Sequence, residues 1–178
     1  MAVDVPEGHR LSIESAVARL RADLIQARWT KPEQWHLTLK FFGEVSEDAL
    51  PHLIEAIGRA TRETGRVESW LEDLGAFPNV GRARVLWAGL ADPELKLKTL
   101  AERIGSECEY PPEERFQAHL TLARLKTPQS LRKLIERHRP LEWDRSPFVV
   151  DKVTLVRSRL GREGAKYSPV AEFPFSDH

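Results

Sequence analysis

The sequence contains a single cysteine, Cys108. That excludes an internal disulfide framework and a cysteine-based zinc knuckle, and it fits a reducing compartment. Long apolar runs are missing as well: no window approaches the roughly 18 consecutive apolar residues of a membrane span. The opening Met1-Ala2-Val3-Asp4-Val5-Pro6 lacks the pattern of a secretory leader. Neither sign of charge is in excess, with Lys+Arg and Asp+Glu at 27 each. A protein that coats nucleic acid along its backbone is normally basic. Contact with RNA or DNA is therefore expected at one end or one phosphate. No linker or low-complexity segment divides the chain. With 178 residues, 41% of them hydrophobic, it buries a real core. The expectation is a soluble cytoplasmic monomer with one bilobal domain over residues 1–178.

What is present is a repeated word. His36-Leu37-Thr38-Leu39 returns as His119-Leu120-Thr121-Leu122 in a chain with six histidines. Each copy alternates polar and apolar residues, the period of a half-buried strand. On such a strand His36 and Thr38 share one face while Leu37 and Leu39 enter the core, and the second copy behaves alike. Histidine gives and takes protons near neutrality. One imidazole would act as general base on an attacking water, the other as general acid on the leaving oxygen. That pairing suits in-line displacement at phosphorus, where positioning and charge neutralisation do most of the catalysis. The hydroxyls of Thr38 and Thr121 would hold non-bridging oxygens between the rings. A strained 2′,3′-cyclic phosphate is a suitable target for two histidines without a metal.

Plainer readings compete. A lone strand histidine is usually structural, and threonine is a good strand former. Duplication of both at matched positions favours a shared site. A metal centre would need further ligands, yet no acidic residue lies within either motif and Cys108 is isolated, so neither metal nor cofactor is expected. A silent nucleotide- or RNA-end-binding module is the alternative, but binding alone does not require two proton-transfer groups. His9, His52, His138 and His178 have no comparable context and are read as surface or capping residues.

The elements around the motif also repeat. A short strand ends at Pro6. A helix over 7–26 carries Leu11, Ala16, Leu20, Leu24 and Ile25 at helical spacing. A loop over 29–34 leads to the first histidine strand, 35–42, closed by Gly43. Ser46 is placed to cap a helix over 47–63. Strands over 67–74 and 83–90 flank the turn Phe77-Pro78-Asn79-Val80-Gly81. Asp92-Pro93 opens a helix to 107, and a loop over 110–117 precedes the second histidine strand, 118–125. Thr127-Pro128 opens a helix to 138. Strands over 148–157 and 166–175 surround Gly161 and Gly164. The histidines are 119 − 36 = 83 residues apart, and the same offset carries helix, strand, helix and hairpin onto their successors. The pattern predicts two α+β lobes with both histidine strands lining the cleft between them.

On these residues the chain resembles the 2H phosphoesterases, named for two His-x-Thr motifs, and within them the RNA 2′,3′-cyclic phosphodiesterases, also called 2′–5′ RNA ligases. The likeness includes Ala27-Arg28-Trp29, His36 through Gly43, Phe77-Pro78, Arg84 through Trp87, His119 through Arg124, and Arg157-Ser158-Arg159-Leu160. It departs in a first strand cut to Met1-Ala2-Val3, which leaves the edge of one sheet short, and in Ala118 and Phe42 where the family often has Pro and Leu. The resemblance implies a bilobal, pseudo-twofold α+β fold with two mostly antiparallel sheets lining a central cleft and helices outside. It implies metal-independent hydrolysis of RNA terminal 2′,3′-cyclic phosphates to 2′-phosphates, with ATP-independent 2′–5′ joining of RNA as a related activity. RNA ends would be the partner. By carry-over His36 and His119 are catalytic, with His36 assigned as acid and His119 as base, an order the residues alone leave open; Thr38 and Thr121 hold the phosphate.

Further candidates surround them. Lys40 has the parity of His36 and is a candidate phosphate ligand. Arg124 suits phosphate by geometry, although strict alternation puts it on the face of Leu120 and Leu122 unless the strand bulges. Arg157 and Ser158 are candidate groove residues. Phe42 and Trp29 are candidates for stacking on a base, while Phe41 is read as core.

Overall fold

The computed structural model of the protein describes residues 1–111, 116–139, 143–161 and 164–176. His178, Pro112 and residues 162–163 lie outside the described residues. In chain order come β1 (Ala2–Asp4), α1 (Glu7–Asp23), β2 (Ala27–Trp29), a 3₁₀ turn (Pro32–Gln34), β3 (His36–Thr38), α2 (Leu50–Thr61), β4 (Val67–Ser69), β5 (Leu71–Phe77), β6 (Ala83–Leu90), α3 (Lys96–Glu107), β7 (His119–Gln129), α4 (Arg132–Arg137), β8 (Phe148–Val150), β9 (Lys152–Gly161) and β10 (Gly164–Pro174).

The α+β architecture is the expected one, and its pairing is antiparallel. The strands run in the order β10-β9-β1-β3-β7-β6-β5, with β2 beside β3 on the same edge of β7. The two lobes' sheets are thus hydrogen-bonded into one at the β3–β7 seam, where Leu37 lies opposite Leu120. β1 is not an edge: it sits between β9 and β3. A separate two-stranded sheet pairs β4 with β8, and there Val67 lies opposite Val150. Both pairs join residues with the same offset, 120 − 37 = 83 and 150 − 67 = 83. An antiparallel pair centred on equivalent residues is what a local twofold axis produces. Two such pairs place the pseudo-twofold through both sheets.

The lobes are not the halves of the chain. The hairpin β5–β6 follows the first histidine strand in sequence but pairs with the second, β7; β9–β10 follows the second but pairs with β1, which lies between it and β3. Each half lends its hairpin to the other's side of the seam, directly against β7 and by way of β1 against β3.

Helix boundaries differ from the expected ones for identifiable reasons. The buried stripe of α1 is His9, Ile13, Ala16, Val17 and Leu20. Leu11 is 60% exposed, because two residues turn the helix by roughly 200°. Ile25, 84% exposed, falls beyond its end. α2 begins at Leu50 rather than 47, which puts Pro51 in the first turn, where its missing N–H costs no bond. Ser46 instead accepts the Ala49 N–H at 3.3 Å and caps a turn before the helix. α3 begins at Lys96, and Asp92 caps it from a distance, accepting from Leu97 N–H (3.0 Å) and Lys98 N–H (2.9 Å). Thr127-Pro128 opens no helix. It continues β7, past Leu125 where pairing with β2 stops, so proline occupies an edge position.

Candidate active site

The seam register fixes the site. Leu37 opposite Leu120 gives a pairing sum of 37 + 120 = 157. His36 therefore stands across from Thr121 (36 + 121 = 157), and Thr38 across from His119 (38 + 119 = 157). All four project from one face, while Leu37 and Leu120 are fully buried on the other. The two imidazoles are diagonal neighbours, at roughly 7–8 Å for such positions, which leaves room for one phosphate between them. Each histidine faces the threonine of the other copy.

Both rings are oriented from behind by the same device. His119 Nδ1 donates to the Gln117 carbonyl at 2.7 Å, and His36 bonds to the backbone of Gln34. These are residues i−2 in both copies (117 − 34 = 83), so the repeat is longer than it first reads: Gln-x-His-Leu-Thr-Leu. A carbonyl only accepts, so Nδ1 of His119 carries the proton and, in the neutral ring, Nε2 is the basic nitrogen. Burial holds the His36 pKa below its ordinary value, opposed by the charge of Asp4, which lies directly across from His36 on β1.

Aromatic rings from the exchanged hairpins wall each histidine. Tyr167 of β10 meets His36 edge-on, with centroids 4.7 Å apart. Phe77 of β5 meets His119 in the same way at 4.9 Å, and Trp87 of β6 lies 5.9 Å from it. The Trp87 indole covers Gly75, where a Cβ would collide with it. Tyr167 has no marker within either motif and escaped sequence reasoning as a site residue. Phe77 and Trp87 were visible only as parts of the family likeness. The signal available for the positioning carbonyls was the pair Gln34 and Gln117.

A further tie holds the two histidine strands together. Trp35 Nε1 donates to Thr30 Oγ1 at 2.9 Å. That hydroxyl lies 2.7 Å from the Thr121 carbonyl and 2.8 Å from the Leu122 carbonyl. Trp35 immediately precedes His36, so the chain links one histidine strand to the backbone of the other.

Beyond each threonine the alternation breaks. In β7, Trp87 pairs with Thr121 but Leu86 pairs with Ala123, so Leu122 is the extra residue of a bulge. Leu122 and Ala123 are both buried and Arg124 is exposed. Val85 pairs with Arg124 and shares the face of Trp87, hence of Thr121. The bulge brings Arg124 onto the histidine face, where strict alternation denied it. The first copy breaks at the same place. Leu39 and Lys40 are both buried and Phe41 is 72% exposed, with Met1 accepting from Leu39 N–H (2.9 Å) and donating to the Lys40 carbonyl (2.6 Å).

Several candidates are corrected by this geometry. Lys40 is only 5% exposed, and its ammonium donates to the Pro111 carbonyl at 2.6 Å; β3 ends at Thr38, so parity no longer governs it. Phe42 is buried against Tyr110, centroids 5.0 Å apart, while Phe41, read as core, is the exposed ring. Trp29 pairs with buried Ala123 on the core side, with Arg21 over its ring at 5.8 Å. Arg157 donates to Glu47 at 2.8 Å. Ser158, opposite Tyr167, stays on the histidine face. His9 is not at the surface: it is buried, bonded through Nε2 to the Ser146 carbonyl at 2.9 Å and packed on Phe148. His138 bonds Asp23 at 2.9 Å, and with Arg137 it holds that carboxyl below its usual range. His52 is exposed. Among the described residues no three His, Cys, Asp or Glu side chains gather as metal ligands, and no helix is long and apolar enough to cross a membrane.

Two histidines and two threonines converging from pseudo-equivalent strands define a two-histidine phosphoesterase fold. The model of the LigT-like phosphoesterases matches residues 3–87 and 90–167. The chain belongs to that family. It is 31% identical over 176 residues to the RNA 2′,3′-cyclic phosphodiesterase of Methanothermobacter thermautotrophicus, covering 97% of this chain and 96% of that protein. It is 32% identical over 165 residues to that of Aeropyrum pernix, covering 88% and 93%. Among solved structures, TT0787 of Thermus thermophilus superposes with a TM-score of 0.80 at 28% identity, covering 98% of this chain and 95% of that one. E. coli LigT complexed with 3′-AMP gives 0.71 at 26% identity over the same shares.

Proposed function

We propose that the protein opens terminal 2′,3′-cyclic phosphates on RNA to 2′-phosphates by acid–base catalysis between His119 and His36. The observation that carries this reading is the diagonal placement of the two imidazoles, each across from the other copy's threonine. Relatives named RNA 2′,3′-cyclic phosphodiesterase support the reaction, and the E. coli LigT complex with 3′-AMP supports a nucleotide ligand.

In this mechanism Thr38 and Thr121 hydrogen-bond the non-bridging oxygens and hold the phosphorus between the rings. His119 Nε2 takes a proton from water as the water oxygen bonds to phosphorus. The P–O3′ bond breaks on the opposite side, and His36 gives its proton to O3′. The products are a 2′-phosphate and a free 3′ hydroxyl; proton exchange with solvent resets both rings. Burial lowers the His36 pKa and Asp4, across from it, opposes that shift; a bound anionic substrate favours the imidazolium, so His36 takes the acid role in the substrate complex. A 5′ hydroxyl of a second RNA in place of water gives a 2′–5′ diester by the same steps and without ATP. Both histidine strands come from one chain, so a monomer suffices.

The test is an oligoribonucleotide ending in a 2′,3′-cyclic phosphate, incubated with the protein in chelator. A 2′-phosphate product is expected. A 3′-phosphate reverses the leaving group. Loss of turnover in chelator with recovery on added zinc replaces the mechanism by a metal-dependent one. Binding without product at high enzyme favours a binding module.

A further inference from the structure

Gln34 is held by both ends of its carboxamide. Its Oε1 accepts from the Lys31 N–H at 2.9 Å, and its Nε2 donates to the Ala165 carbonyl at 2.7 Å. The first bond caps the 3₁₀ turn from within. The second crosses to β10, the outermost strand of the sheet. The start of the same turn is anchored from α1, where the Arg10 guanidinium donates to the Pro32 carbonyl at 2.8 Å. Arg10 also donates to the Val5 carbonyl at 2.8 Å and to the Asp4 carboxylate at 3.3 Å. The turn that leads into the first histidine strand is therefore fixed from two sides, by a helix and by a hairpin.

Ala165 and Tyr167 are two residues apart on β10, so their side chains share a face. Tyr167 is the ring that meets His36 edge-on. The contacts close a circuit. The Gln34 carbonyl accepts from the His36 ring, the ring packs on Tyr167, and β10 runs from Tyr167 to Ala165, whose carbonyl takes the Gln34 amide. The carbonyl and the side chain of Gln34 share one Cα, so a shift of either moves the other. The second copy repeats the carbonyl without the circuit: Gln117 Nε2 donates to its neighbour, the Ala118 carbonyl, at 3.4 Å, beyond the usual range for such a bond.

We propose that Gln34 is a positioning residue for His36: its side chain locks the carbonyl beneath the imidazole to β10, so that the ring and its hairpin wall are aligned as one unit. An imidazole that turns about its side-chain bonds delivers a proton reliably only when its other nitrogen is anchored. The proton donor must also stand about 2.6–3.2 Å from the oxygen it serves, and a displacement of about 1 Å costs up to about a hundredfold in rate. The inference rests on the reading of His36 as the acid that protonates the leaving oxygen.

Gln34→Met tests it, since methionine keeps the side-chain length, adds no charge and removes both bonds. On an oligoribonucleotide ending in a 2′,3′-cyclic phosphate, kcat is expected to fall about tenfold while KM stays within about twofold of wild type. By NMR the Ala165 carbonyl carbon should move upfield as it loses its donor. The ring nitrogens of His36 should shift toward a mixture of tautomers, and those of His119 should stay. If Gln34→Met does not fold, Gln34→Glu keeps the acceptor for the Lys31 N–H and, when ionised, lacks the donor to Ala165; the same readings apply to it. His36 resonances that stay while the Ala165 carbonyl moves overturn the proposal, because the tie then carries no positioning. A rise in KM with kcat unchanged overturns it as well, by placing Gln34 in substrate binding. If wild-type protein opens no cyclic phosphate, the functional reading fails by itself, and the His36 resonances still decide: a tautomer shift in the variant supports the positioning role, and an unmoved ring rejects it.

Discussion

Leu37 lies directly across the sheet from Leu120, its own counterpart 83 residues later in the chain. This one pairing makes a site of two separate motifs. An antiparallel register through equivalent residues puts each histidine opposite the other copy's threonine, on the face away from the leucines. A shift of one residue would turn one motif's polar pair into the core. Register is therefore held by burial, since Leu37 and Leu120 are both completely enclosed. Truncating either to alanine costs about 2–5 kcal/mol.

His36→Ala and His119→Ala should each lower kcat by about 10²–10⁴, the usual worth of a positioned proton-transfer group. Single-turnover measurement on a cyclic-phosphate oligonucleotide checks this. If the mechanism is concerted, the double variant falls well short of the product of the two single losses. Full additivity would show that the rings act independently.

The pH profile should carry the environment of His36. Burial depresses its folded pKa, so the folded state binds fewer protons than the unfolded chain just below the ordinary histidine value. The associated stability is present above that value and is lost as pH falls through the folded pKa. In kcat/KM the limb belonging to His36 is expected below 6.5, the ordinary value. In kcat it moves upward, because a bound phosphate favours the imidazolium. Asp4 opposes the depression, so Asp4→Asn should lower the His36 midpoint further. NMR titration of the imidazole protons reads it directly.

Thr30→Val deletes the hydroxyl that takes the Trp35 indole bond and ties it to the carbonyls of Thr121 and Leu122. It also leaves buried groups unpaired. A loss of about 1–3 kcal/mol is expected in urea unfolding, with kcat reduced more than KM is raised. A change in KM alone would place Thr30 in substrate binding instead.

Gly75→Ala drives a methyl group into the Trp87 indole. Overpacking of this kind costs about 1–3 kcal/mol. It also displaces the ring that flanks His119, so the His119 imidazole resonances should move while those of His36 stay. Replacing Trp87 by leucine in the same chain should restore stability but not the His119 resonances.

Lys40→Met tests the correction at that position. The ammonium is enclosed and bonded to Pro111 rather than turned to the histidine face, so KM for a cyclic-phosphate oligonucleotide should stay within about twofold of wild type, whereas loss of one charge-assisted contact to substrate would raise it roughly tenfold or more.

Much of the site was legible in the sequence. Two copies of His-Leu-Thr-Leu, with their period of two, determine which side chains turn outward and which anchor the strand, because that period is local to the backbone. The 83-residue offset carries the twofold, and the chemistry of paired imidazoles follows from residue type. Helix ends were less legible, since a capping residue such as Ser46 marks a turn as readily as a helix, and Thr127-Pro128 continues a strand. What only the tertiary structure decided is everything set by a neighbouring strand: the Leu37–Leu120 register, the exchange of hairpins that brings Tyr167 and Phe77 against the histidines, and the bulge at Leu122. That bulge is invisible to alternation because it depends on how many residues of β7 oppose β6. It turns Arg124 outward, and the matching break in the first copy buries Lys40 and exposes Phe41. Pattern names the candidate reacting groups; packing between strands decides which charges and rings join them.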